Sequence, residues 1–188
     1  MAGPLDLVSL LDLRDMADFV KAPGGYMALR RTDVAPLAYE VRVNSPPSAE
    51  TLKKIMIFAN GANPDFVRTL YESCNGMWVG ATKFAVYGVI GSIDRGDTEV
   101  AMSTPWDINV PNIYGRPESW PDDALIVGIG TEYRSDGPSA KVHHSIEAGS
   151  RIRVSLDTDY DTILRSYTTV RDWITGEVAR ALADRDRW

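Results

Sequence analysis

With 188 residues, 44% of them hydrophobic and 24% charged, the chain is long enough to bury one full hydrophobic core and has the balance of a folded protein, which excludes a disordered one. Its net charge of −6 argues against sequence-independent binding to nucleic acid or to an anionic membrane, because both need a basic surface. No apolar run approaches the roughly 20 residues of a membrane helix, no basic n-region precedes the first apolar stretch, and the single Cys74 cannot close an internal disulfide, so the expectation is a cytoplasmic domain with neither a nucleic-acid nor a membrane partner.

In chain order, Leu7, Val8, Leu10, Leu11 and Phe19 recur at approximately helical spacing, and Pro23-Gly24-Gly25 ends that segment. Tyr26 to Arg30 and Leu37 to Val43 are β-rich runs that predict a hairpin, the second alternating through Tyr39, Val41 and Val43. Ser48 is a suitable N-cap for a helix running through Ile55, Met56 and Phe58 to Asn60-Gly61. Asn63 caps the next helix and Pro64 takes its first position, with Phe66, Val67, Leu70, Tyr71 and Cys74 on one face and a stop at Asn75-Gly76. Trp78 to Val79 and Phe84 to Ile90 read as strands. From Thr104 to Asp123 the chain carries four prolines, Trp106, Tyr114 and Trp120, and no regular pattern; a segment of that length inside a compact domain is usually functional or mobile. Leu125 to Ile129 reads as a strand, with a turn at Asp136-Gly137-Pro138 after it. Lys141 to Ile146 and Arg151 to Leu156 form a hairpin around Ala148-Gly149. Thr168 or Thr169 caps a last helix with Val170, Trp173, Ile174, Val178 and Leu182 on its apolar face.

The usual catalytic patterns do not fit. Gly128-Ile129-Gly130 follows a strand, yet Tyr133 stands where a dinucleotide fingerprint needs glycine. His143 and His144 are the only histidines, and as strand neighbours they point to opposite faces and cannot readily share a metal; one is expected to pack and the other to face solvent. Cys74 lies on an apolar helix face, which suits an inert thiol. Asp157, Asp159 and Asp161 begin like a calcium loop, but Thr162 and Thr168 stand where glycine and glutamate are required, so they read as a polar loop. Arg95-Gly96-Asp97 reads as a turn. The expectation is a protein that is not an enzyme and has no catalytic residue, cofactor or metal.

Charge is concentrated between Asp94 and Asp136, where nine acids face three arginines and leave the rest of the chain neutral. This is either a solvated loop surface or a face for a basic partner. Within it, Trp106, Tyr114 and Trp120 are candidate anchors for a protein partner and Asp107, Glu118, Asp122 and Asp123 candidate charges; packing of the aromatics onto their own sheet competes with that reading.

The run Pro64-Asp65-Phe66-Val67-Arg68-Thr69-Leu70-Tyr71-Glu72-Ser73-Cys74-Asn75-Gly76 resembles the helix signature of the SUKH superfamily, with Asn63-Pro64 where the family usually has Leu-Pro. Leu125-Ile126-Val127-Gly128-Ile129-Gly130 is similar to the family's strand ending in Ile-Gly, and Asp136-Gly137 to the turn after it. Ile163-Leu164-Arg165-Ser166-Tyr167 followed by Val170-Arg171-Asp172-Trp173-Ile174 resembles its closing helix, so the likeness covers roughly Ser48 to Leu182. It implies a single α+β domain with a mixed, largely antiparallel sheet and helices packed on it, residues 48–188, preceded by an extension of residues 1–47 (helix plus hairpin) packed on the domain. It also implies a non-enzymatic binding protein. The first expectation is an immunity-type protein that neutralises a bacterial polymorphic toxin, such as a basic nuclease domain; the alternative is a regulatory scaffold or adaptor without a toxin partner.

Overall fold

The computed structural model describes residues 3–16, 19–22, 24–30, 38–59, 61–80, 83–90, 106–133, 138–149 and 151–183. The acids and arginine at positions 94–99, the Arg95-Gly96-Asp97 tripeptide, Arg134 and the Asp136-Gly137 turn lie outside them.

Nine strands form one sheet in simple sequence order: β1 Val20–Ala22, β2 Gly25–Arg30, β3 Ala38–Asn44, β4 Met77–Val79, β5 Phe84–Val86, β6 Leu125–Glu132, β7 Ala140–Ile146, β8 Ile152–Leu156 and β9 Asp159–Tyr167. Each neighbouring pair is antiparallel, so the sheet is an antiparallel meander and not a mixed one. A parallel contact occurs outside the strands, at the Gly88–Asp107 bridge. The helices are α1 Leu7–Leu10, α2 Ala49–Phe58, α3 Pro64–Ser73 and α4 Val170–Ala183, with a 3-10 turn at Leu13–Asp15 and a π-helical turn at Val110–Tyr114.

Local chemistry accounts for the helix ends. The Ser48 hydroxyl accepts from the Thr51 N–H at 3.2 Å, and the Asn63 side-chain oxygen accepts from the N–H groups of Asp65 at 3.0 Å and Phe66 at 3.3 Å. Thr169 does the same for α4, accepting from Asp172 N–H at 3.0 Å. Beyond α3, Gly76 adopts φ +85, and the Asn75 side chain accepts from the Val89 N–H at 2.8 Å and donates to the Val89 carbonyl at 3.0 Å. The expected N-terminal helix is shorter than its spacing suggested, because Asp12 turns the chain with φ 49 before the 3-10 turn.

Strands β1, β2 and β3 make the described part of residues 1–47 continuous with the sheet. Val41 and Val43 of β3 face Val79 and Met77 of β4, and Leu7, Leu11 and Leu13 join one core cluster that reaches Ala181. Val41, Arg42, Val43 and Asn44 are all buried, so both faces of β3 are covered where the alternating sequence suggested one.

Helix α4 closes one face of the sheet. Trp173 is fully buried, edge-on to Phe84 with centroids 5.7 Å apart, and its indole N–H donates to His144 Nδ1 at 3.0 Å. Gly128 permits this approach, since a Cβ there would meet the Ala85 carbonyl oxygen at 2.9 Å and the Trp173 ring at 3.4 Å. A charged network ties α4 to the sheet edge. Glu177 accepts from Arg165 Nε at 2.8 Å and from the Tyr167 hydroxyl at 2.6 Å, while Glu132 accepts from Arg165 Nη1 at 2.7 Å and Arg180 Nη2 at 2.8 Å. Burial alone would raise the Glu177 carboxyl, but His144, Arg165 and Tyr167 beside it hold it below its ordinary value.

Candidate functional site

The opposite face of β7 is roofed by residues 106–124, which lead into β6. The Asp107 main chain bridges to Gly88, and its carboxylate accepts from the Asn109 N–H and the Asn109 side-chain amide, each at 3.0 Å. Ile108 and Pro111 are buried beneath the π-helical turn.

Two polar side chains fasten this turn from within. The Asn112 carbonyl accepts from Ile126 N–H at 2.9 Å while its amide donates to Ile126 O at 2.7 Å and Ile108 O at 2.9 Å, so it pairs with β6 as a strand residue would. Arg116 donates to the carbonyls of Pro121 and Ala124, the latter at 2.8 Å, and to the Asn112 side chain at 3.3 Å. These groups satisfy main-chain carbonyls that no ladder reaches. Asn112 and Arg116 therefore point inward, while three of the turn's apolar residues face outward: Val110 is 51% exposed, Ile113 55% and Tyr114 80%.

The sequence-derived candidates separate on this framework. Tyr114 stands on the exposed crest. Trp106 is half-covered, its ring against Trp78 at 6.2 Å and Tyr87 at 6.4 Å. Trp120 is a correction to the sequence reading: at 4% exposure it is a core residue, set edge-on to His143 at 5.4 Å and to Tyr160 at 5.0 Å, and it offers no surface to a partner. Asp107 is engaged in capping, whereas Glu118, Asp122 and Asp123 are exposed, Asp122 lying 3.8 Å from Arg116. The sequence reading missed Val110 and Ile113. The signal available was a pair of apolar residues, Val110 and Ile113, flanking Pro111-Asn112 within the proline-rich segment.

Both histidines are buried, which corrects the expectation that one of them faces solvent. The loop and α4 cover the two faces of β7, so neither neighbour on that strand reaches water. His143 Nε2 lies 2.5 Å from Asp157 Oδ1, which also pairs with Lys141 at 3.1 Å. Burial first and Lys141 second lower its pKa, with Asp157 opposing. Cys74 is fully buried, and burial pushes its thiol up to about 12, where no reactive thiolate forms. Asp159 turns back on its own strand, accepting from Asp161 N–H at 3.1 Å and from the Thr162 hydroxyl.

Comparison with known proteins finds no family model, no curated protein and no solved structure that matches this chain. Among the described residues no helix is long and apolar enough to cross a membrane.

Proposed function

We propose that this chain is a non-enzymatic protein-binding domain of the immunity type, similar to the SUKH superfamily, which neutralises a basic toxin domain such as a nuclease by docking through the 106–123 segment. The observation that carries the reading is the crest of that segment. Val110, Ile113 and Tyr114 are held out to solvent on a turn whose backbone is fastened from below by Asn112 and Arg116. Exposed apolar groups on a fixed support are costly in an isolated protein and useful in a complex, because little ordering entropy is lost when they bind. Glu118, Asp122 and Asp123, exposed in the same segment, add negative charge, which suits a basic surface and speeds its encounter.

The test is affinity capture from lysate of the source cell together with two variants. One carries Ile113→Ser and Tyr114→Ala; the other carries Glu118→Gln, Asp122→Asn and Asp123→Asn. A basic toxin domain retained by the native chain, lost by the first variant and captured more slowly by the second supports the reading. The same cellular proteins captured by all three would remove this segment from the interface and move the assignment to a regulatory scaffold.

A further inference from the structure

The most exposed apolar groups of the protein gather where two elements meet. Among the described residues four large hydrophobic side chains are more than half exposed: Val110, Ile113 and Tyr114 on the π-helical turn, and Ile57, at 78%, near the end of α2. Phe58 and Ala59 at the α2 terminus and Asn112 and Arg116 beside the turn wall one small cleft. Just beyond the helix, a Cβ on Gly61 would stand 3.3 Å from the Asp123 side chain, so α2 ends against the acidic part of the segment. Single exposed aliphatic residues are ordinary, whereas a joined set on neighbouring elements marks an interface.

Charge divides this surface into two ends. At the α2–α3 end, Leu52, Met56 and Ile57 line a groove of about 520 Å³, with Lys53, Arg68 and Glu72 at its sides. Lys53 and Arg68 are exposed and have no ion-pair partner among the described residues, while Lys54 is occupied by Glu50 at 3.1 Å. Three cations, Lys53, Lys54 and Arg68, thus stand against Glu50 and Glu72; Asp65 lines a different groove, beside residues 3–5. At the other end Glu118 and Asp123 are exposed and have no partner among the described residues, and Asp122 lies beside Arg116. Three acids there stand against one arginine.

The two ends complement each other, and within one chain their free charges are not paired. We propose that this surface is the contact between two copies of the chain related by a two-fold axis. Ile113 and Tyr114 of each copy enter the α2–α3 groove of the other, and Glu118 and Asp123 of each reach Lys53 and Arg68 of the other. A two-fold contact uses the same patch on both copies, so a surface with opposite charges at its ends is matched twice over. The inference rests on the 106–123 segment being an interface and not on the identity of a toxin. In the free protein the second copy covers the crest, and a toxin domain docks by displacing it.

The experiment is sedimentation velocity of the full-length chain over a concentration series, at low and at high salt. The expected result is a concentration-dependent dimer that weakens as salt is raised. Ile57→Ser weakens it about tenfold. Lys53→Glu with Arg68→Glu gives one monomeric variant and Glu118→Lys with Asp123→Lys another, because like charges then meet at both contacts. Mixed in equal amounts the two form a heterodimer, since both contacts again join opposite signs. All the substituted side chains are exposed, and recovery in the mixture shows that both variants are folded. A wild-type chain that is monomeric at every concentration overturns the proposal, as does a dimer that survives either charge variant or a mixture that stays monomeric. No partner enters this experiment. Capture of a basic domain by a monomeric chain leaves the toxin reading standing alone, and a dimer that captures none leaves this one.

Discussion

Trp120 and Tyr114 lie six positions apart in one loop, and they carry opposite consequences. Trp120→Ala removes a buried ring from between His143 and Tyr160 and is expected to cost about 3–5 kcal/mol, whereas Tyr114→Ala on the exposed crest should change stability by no more than about 0.5 kcal/mol. Urea unfolding of the two variants measures the contrast. His144 sets a pH dependence. Burial drives its pKa down to about 4, and Glu177 opposes this only in part. The unfolded chain takes up that proton near pH 6.5, so between there and pH 4 the unfolded state binds more protons and stability falls on acidification, by about 3 kcal/mol from this ring at the lower limit. His144→Phe should flatten the stability profile across that window, losing about 1–3 kcal/mol at neutral pH because the Trp173 N–H is left without its acceptor, a deficit that shrinks as the pH falls towards 4. A variant slope equal to that of wild type would show that this ring is not the titrating group.

At the scale of elements, the π-helical turn depends on Asn112 more than on its own main chain. Asn112→Ala strips Ile126 of partners for both its N–H and its carbonyl, and should cost about 1–3 kcal/mol. The distinguishing observation is hydrogen exchange. The Ile126 amide loses protection ahead of the β7 and β8 amides, because the loop detaches before the sheet opens. The caps and stops of α2 and α3 were legible in the sequence, since Ser48, Asn63, Pro64 and Gly76 act on backbone groups within a few residues of themselves. Strand β9 was not. Its sequence from Asp159 to Tyr167 alternates poorly because it is an edge strand with one neighbour, and irregular pairing with β8 shifts its register near Val154 and Ser155. Its aspartates therefore read as a loop, and Ile163 to Tyr167 as an approach to the last helix.

For the whole molecule, the sheet joins the N-terminal strands to the remainder through the pairing of β3 with β4. A chain beginning at Ser48 would expose the β4 edge and lose Leu7, Leu11, Leu13, Val41 and Val43 from the core cluster. It is expected to show no cooperative thermal transition and to aggregate, as an uncovered hydrophobic strand edge does; a monomeric fragment with a sharp transition would show that residues 1–47 are dispensable. The sequence by itself determined the N-caps of α2 and α3, the β7–β8 hairpin, the α+β content and the acidic character of the chain, because caps, turns, periodicity and charge are local properties. Only the tertiary structure decided that Trp120 and both histidines are buried and that Val110 and Ile113 are exposed. Burial depends on which distant segments cover a residue, and no local spacing encodes that.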